Sequence, residues 1–121
     1  MDLNQKAVGA VLLATASGRI DLSNADDFTT ALSAALAGTE AALILDLSKV
    51  DYISSAGLRS LVITLKASKS ENKGFGVAAL QPMLAEIFTI ARLNQVIPIF
   101  PTAREAIGKL APGALAAFDA G

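Results

Sequence analysis

Two adjacent hydroxyls, Ser54 and Ser55, stand with Ala56 and Gly57 between an aliphatic run and a second apolar run of helical spacing. In α/β proteins, sites gather where strands end and helices begin. The unpaired N–H groups of a helix start, together with the helix dipole, favour negative charge. A serine there serves either as a helix cap or as the attachment point of an anion, and the local chemistry does not choose between them. A phosphate on it would add about -1.5 to -2 charges, which a helix end can accept without large refolding. Gly57 costs roughly 1 kcal/mol against alanine inside a helix, so the close approach of another backbone is the expected reason for it. With Ala56 it keeps the patch flat and reachable, as an interface or a kinase cleft requires.

Other chemistries lack their residues. The 121-residue chain contains no histidine and no cysteine. It therefore has no imidazole base, no thiolate and neither of the commonest transition-metal ligands. No enzymatic activity, metal or cofactor is expected. Ten Lys and Arg against 11 Asp and Glu leave a net charge of -1, which gives no electrostatic reason to expect nucleic acid as a partner. The segment "DLSKVDYISSAG" lacks a phosphoaspartate receiver's acidic cluster. "GFGVAA", 74–79, formally fits Gly-x-Gly-x-x-Ala, but it enters a strand where a dinucleotide fingerprint would follow one. No Gly-x-x-x-x-Gly-Lys loop is present.

The surrounding elements must position the junction. Residues 7–16 are expected to form a strand, with a short turn at Ser17-Gly18 and a second short strand from Arg19 to Asp21. A helix then opens at Asn24 or Ser23 as cap, with Asp26 and Asp27 at its positive end and Phe28, Leu32 and Leu36 at i, i+4, i+8. Gly38 stops it. Residues 41–47 are aliphatic apart from Asp46, as in a strand buried on both faces. A loop from Ser48 to Ser54 is expected next, and then a helix whose Leu58, Leu61, Val62 and Leu65 form the core stripe. Arg59, Lys66 and Lys69 lie about two turns and then one turn apart on its solvated face, with Arg59 close enough to the helix start to meet a partner's acidic surface.

Residues 74–80 read as a strand, and Pro82 opens a helix carrying Leu84, Ile87, Phe88 and Ala91. "QVIPIF", 95–100, reads as an edge strand because of Pro98. Thr102 and Glu105 form a capping box, and residues 112–121 are expected to be a frayed or loosely docked tail. The sum is a single α/β domain over 1–121 with a core of about residues 5–111 and a mixed, largely parallel sheet. About four to five strands and about four helices are expected. The apolar run from Ala7 to Ala14 is short for a signal peptide, and Asp2 offsets Lys6, so a first strand is the expected reading. It is also too short to span a bilayer.

"LILDLSKVDYISSAGLRSLV", 43–62, resembles the signature of the STAS domains, shared by bacterial anti-sigma factor antagonists and parts of anion transporters. "GRIDLSNADDF" is similar to the family's Gly-x-Leu/Ile-Asp segment, and "IARLNQVIPIFPTAREAI" to its last strand and helix. The resemblance implies a STAS-like fold and a phosphorylation switch. The acceptor serine maps to Ser55, with Ser54 as the alternative. Ala56 takes the second hydroxyl position, Gly57 the glycine, and Ser54 replaces the aspartate that precedes the acceptor. Asp21 maps to the family's acidic residue near the site, and Asp46 to the turn's aspartate, for which a strand-end cap is an equal alternative.

The resemblance further implies a partner patch of Asp21, Ser54, Ser55, Ala56, Gly57, Leu58 and Arg59. Its partners would be a serine kinase/anti-sigma factor of the ATP-binding type and a serine phosphatase, in the cytoplasm of a bacterium. The protein would bind the kinase unphosphorylated and be released by serine phosphorylation. The rival expectation is a constitutive STAS subunit, as of a lipid-transport ATPase, that docks by the same patch without phosphorylation.

Overall fold

The computed structural model describes residues 1–121. The hydrophobic run after Lys6 does not continue as one strand. It folds on itself as β1 (Asp2–Val8) and β2 (Val11–Ile20), paired antiparallel from Val8↔Val11 to Asp2↔Ser17. Gly9, at φ +58°, is the first of the two turn residues. A hairpin turn of this kind needs a residue without a Cβ penalty there. Glycine 9 is the signal that periodicity within residues 7–16 conceals, because apolar residues flank it on both sides.

The sheet runs in chain order, β1-β2-β3-β4-β5. After the hairpin, β2, β3 (Ala42–Ile53), β4 (Gly74–Ala78) and β5 (Ile99–Phe100) are mutually parallel. β3 is the central strand, and Ala42, Leu43, Ile44 and Leu45 are wholly buried, as a strand covered on both faces requires. Leu43, Leu45 and Leu47 face the larger core, built with Phe28, Leu32 and Leu36, with Leu61 and Leu65, and with Leu84 and Phe88. Ala42 and Ile44 face a smaller core around Ala106 and Ile107.

The expected loop from Ser48 to Ser54 is instead the second half of β3, which continues to Ile53. The ladder explains the misreading. Between Thr15↔Asp46 and Ser17↔Lys49, β2 advances two residues while β3 advances three. Between Gly18↔Val50 and Arg19↔Tyr52, β3 again inserts one extra residue. Each bulge shifts the period-2 pattern, so Leu47, Val50 and Ile53 are buried three residues apart and the alternation looks broken. Asp46 sits at the first bulge, not at a strand end, and its Oδ1 accepts the Ser48 N–H at 2.8 Å. The expected turn at Ser17-Gly18 is the matching kink within β2, with Gly18 at φ +93°.

Helix α1 (Ala25–Ala37) and helix α2 (Ser55–Ser70) pack side by side over the larger core. Asn24 holds the cap position of α1 but gives its side chain to the chain behind it. Its Oδ1 accepts from Asp21 N and its Nδ2 donates to Arg19 O, both at 2.9 Å. On α2, Leu61 and Leu65 are buried as expected, whereas Leu58 and Val62 are half-buried. The stripe facing α1 is polar: Ser60, Thr64 and Ser68, one turn apart and buried. Small hydroxyl side chains let the helices approach, and the carbonyls of Ser60 and Leu65 satisfy Thr64 and Ser68.

Helix α3 (Pro82–Ile90) starts with its proline in the first turn. The expected strand from 95 to 100 shrinks to Ile99–Phe100, preceded by a 3-10 turn over Leu93–Gln95. Two prolines, Pro98 and Pro101, bracket that edge. Helix α4 (Ala103–Leu110) is capped by Thr102 Oγ1, which accepts the Glu105 N–H at 3.1 Å. The tail is docked rather than frayed. A 3-10 turn at Pro112–Ala114 leads into helix α5 (Leu115–Ala120), and Ala114 is buried beside Val8 and Val11. Arg104 donates two hydrogen bonds to Asp119, at 3.0 and 3.1 Å. That fifth helix is the one the sequence reading omits.

Candidate functional site

β3 delivers the chain to the start of α2 beside the end of β2. Ile20 pairs with Ile53, and the next amide, Ser54 N, donates to Ile20 O at 2.8 Å. Ser54 is the N-cap, extended at φ -85° and ψ 171°, and its Oγ accepts the Gly57 N–H at 3.3 Å. Ser55 is the first helical residue. Its side chain is exposed and its hydroxyl has no hydrogen-bond partner. The two serines thus differ in environment: Ser54 is half-buried and engaged, while Ser55 is open.

Gly57 lies where α2 meets the last rung of the β2–β3 ladder. A Cβ there would come within 2.7 Å of Ile20 Cγ2 and 2.7 Å of Ile53 Cγ1. The close approach inferred from the glycine is real, but the neighbours are two isoleucine side chains and not a backbone. By this contact the first turn of α2 rests directly on the core.

A shallow groove of about 720 Å³ runs between the first turns of α1 and α2. Ser55, Ala56, Arg59, Ser60 and Ile63 form one wall, and Ala25, Asp26, Thr29 and Thr30 the other, with Leu22 at its end. Its floor is a hydroxyl pair: Thr29 Oγ1 and Ser60 Oγ lie 2.6 Å apart, and their hydrogen bonds end on the carbonyls of Ala25 and Ala56. Leu22 is 83% exposed and Ile63 45%. Two aliphatic side chains are thus held in solvent at the rim of a polar groove.

Of the residues singled out from sequence, the groove joins Ser55, Ala56 and Arg59. Ser54 and Gly57 lie beneath it as cap and seat, and Leu58 packs half-buried against the larger core. Asp21 adjoins the site through the backbone, one residue after the carbonyl that Ser54 bonds, but it does not line the groove. Its carboxylate accepts from the hydroxyl and the amide of Ser23. The Ser23 hydroxyl, helped by the Ser23 amide and nearby Arg19, holds it below the ordinary carboxylate value despite partial desolvation. Arg19 itself stacks over the Tyr52 ring at 4.3 Å. Missed from sequence as site residues are Leu22, Ala25, Asp26, Thr29, Thr30, Ser60 and Ile63. The available signal was Ile63, which falls outside the Leu61–Leu65 stripe.

Ser54→Ala removes the cap and leaves Ser55 untouched. At 3.3 Å the cap bond is long, so a loss of about 0.5–1 kcal/mol is expected, at the low end for such caps. A urea titration reads it directly. A loss well above 2 kcal/mol would mean that Ser54 holds more than the cap.

Comparison with known proteins gives concordant matches. The STAS domain model matches residues 3–106. BtrV of Bordetella bronchiseptica, described as a candidate anti-sigma factor antagonist, is 30% identical over 99 residues, spanning 82% of this chain and 85% of that protein. Rv2638 of Mycobacterium tuberculosis, described as a candidate anti-anti-sigma factor, is 30% identical over 103 residues, spanning 84% of this chain and 70% of its own. The crystal structure of an anti-sigma factor antagonist from Mycobacterium paratuberculosis superposes with a TM-score of 0.82 at 29% identity, covering 90% of this chain and 92% of that one. The family model and these relatives agree, and the chain belongs to the STAS domain family, alongside bacterial anti-sigma factor antagonists.

Proposed function

We propose that this protein is a phosphorylation-controlled binding switch of the anti-sigma factor antagonist type. Unphosphorylated, it presents the first turn of α2 and the adjoining groove to a serine kinase/anti-sigma factor of the ATP-binding type. Phosphate on Ser55 releases it, and a serine phosphatase restores it. It acts by binding and not by catalysis, in the bacterial cytoplasm. No helix is long and apolar enough to cross a membrane.

One observation carries the choice of acceptor. The Ser55 hydroxyl is exposed and unengaged on the groove wall, whereas the Ser54 hydroxyl accepts the Gly57 N–H. A kinase needs a hydroxyl it can reach and orient, and the Ser54 hydroxyl is half-buried and already engaged. The small Ala56 beside Ser55 leaves room for a partner surface to close over it, whereas Gly57 faces the core and is not part of that surface.

The test is incubation with the candidate kinase, Mg²⁺ and ATP, followed by intact mass and site mapping. The expected result is one phosphate on Ser55, absent in Ser55→Ala and retained in Ser54→Ala. A phosphate on Ser54 would keep the switch and overturn the assignment of the acceptor. Tight binding without phosphate would favour a constitutive docking subunit, a reading consistent with Ser54 standing where the acceptor's neighbouring aspartate is expected.

A further inference from the structure

We propose that the free edge of β1 pairs antiparallel with β1 of a second copy of this chain, forming a two-fold dimer with a continuous ten-stranded sheet. This surface is separate from the α1–α2 groove and does not depend on the function assigned to it.

The sheet has two edges, and they differ. β5 has two residues and lies between Pro98 and Pro101, so it offers almost no ladder to a partner. β1 has seven residues with no proline, and five of them, Asp2 and Asn4 to Ala7, are exposed. Such an edge presents unpaired N–H and C=O groups to any strand that can match it.

The hairpin fixes which groups those are. A two-residue turn closes on a hydrogen-bonded pair, here Val8↔Val11, and hydrogen-bonded and non-bonded pairs then alternate. Lys6, Asn4 and Asp2 therefore bond to β2, while Ala7, Gln5 and Leu3 turn their N–H and C=O outward. Ala10 O, which accepts from Ala41 N on the β3 side, has the parity this requires. A second β1 must bond through the same odd residues, which limits two-fold registers to a few. Centred on Asn4, Leu3 bonds to the partner's Gln5, and Asp2 lies directly opposite the partner's Lys6, twice by symmetry. Shifting by one bonded step either way sets Asp2 opposite Asn4 or Val8 instead. Only the Asn4-centred register pairs the charges.

A lysine on an edge ordinarily repels another edge. Here Asp2 meets it. Asp2 and Lys6 lie on the same face of β1 as Val8, and neither is in an ion pair within its own chain, whose pairs are Lys73–Glu71 and Arg104–Asp119. Lys6 Nζ lies beside Gly121, at the end of α5, which keeps it on that face. Opposite charges on facing strands stabilise pairing, and like charges there oppose it.

Sedimentation velocity of the full chain from about 10 µM to about 1 mM tests this, with monomer giving way to dimer as concentration rises. Asp2→Lys and Lys6→Asp each place like charges opposite one another, and each should raise the dissociation constant on the order of tenfold. The double variant Asp2→Lys/Lys6→Asp restores the pairs and should restore the dimer. Gln5→Pro removes an outward N–H only, so it should abolish the dimer while leaving the circular dichroism of the monomer unchanged. A monomer at every concentration overturns the proposal. A dimer indifferent to both single reversals, or one that the double variant fails to rescue, overturns it as well.

Discussion

Phosphate on Ser55 is expected to weaken binding to the cognate kinase about a hundredfold, a loss of roughly 3 kcal/mol. Beside Ser55 the groove wall carries only the methyl of Ala56, so a partner can approach closely and exclude water. A phosphate adds bulk and about -1.5 to -2 charges at that spot. An unpaired charge buried at an interface costs on the order of 2–5 kcal/mol. The groove offers little relief, because Asp26 stands on the wall facing Ser55 and Arg59 is the single cation lining it. Titration calorimetry of the unmodified, the phosphorylated and the Ser55→Asp forms checks this. Ser55→Asp, with one charge and less bulk, should fall between the other two. Ser54→Asp should bind within a few-fold of the unmodified protein, because aspartate is as good a cap as serine. Equal binding of the phosphorylated and unmodified forms would sink the release mechanism.

The second large effect concerns Gly57→Ala. In most helices this exchange stabilises, by up to about 1 kcal/mol of propensity. Here the new methyl meets Ile20 Cγ2 and Ile53 Cγ1, each at 2.7 Å. Those carbons sit directly on β-branched Cβ atoms with few alternative rotamers, and both isoleucines are buried in paired strands. The methyl cannot be accommodated at the tip of a flexible chain, so α2's first turn has to lift. Overpacking of this kind costs typically 1–3 kcal/mol, which outweighs the propensity gain. Urea denaturation should show a net loss of about 1–2 kcal/mol, and Gly57→Val a larger one. Because the lifted turn carries Ser55, phosphorylation should slow as well. A Gly57→Ala protein as stable as the parent would show that the helix start moves freely, and would remove the packing reason for the glycine.

Both expectations rest on contacts between segments far apart in the chain, and the elements differ in how legible they were. Local signals located α1 through Phe28, Leu32 and Leu36, the start of α3 through Pro82, and the cap of α4 through Thr102. Each depends on residues within a turn or two of one another. The failures lie where the partner is remote. Val8 and Val11 look like one strand until Gly9 turns the chain back. The second half of β3 looks like a loop because its bulges are defined only against β2. Ser60, Thr64 and Ser68 lie outside the apolar stripe of α2, and their burial depends on α1 lying alongside. The tail looks frayed or at best loosely docked until Ala114 is seated beside Val8 and Val11.

By itself the sequence determined the α/β class, the parallel core around 41–47, the absence of histidine and cysteine chemistry, and the small-residue junction with its serine pair. These follow from composition and from spacings shorter than one element. Only the tertiary structure decided which serine is the cap and which is free, because that depends on where Ser54's amide and hydroxyl find partners after β2 and β3 pair. It also decided why Gly57 is there, and it opened the groove, since Thr29 of α1 and Ser60 of α2 meet across 31 positions of sequence. Chain-local propensities carry no information about such distances, and they are set when the core of Ile20, Ile53 and Leu61 closes beneath the helix.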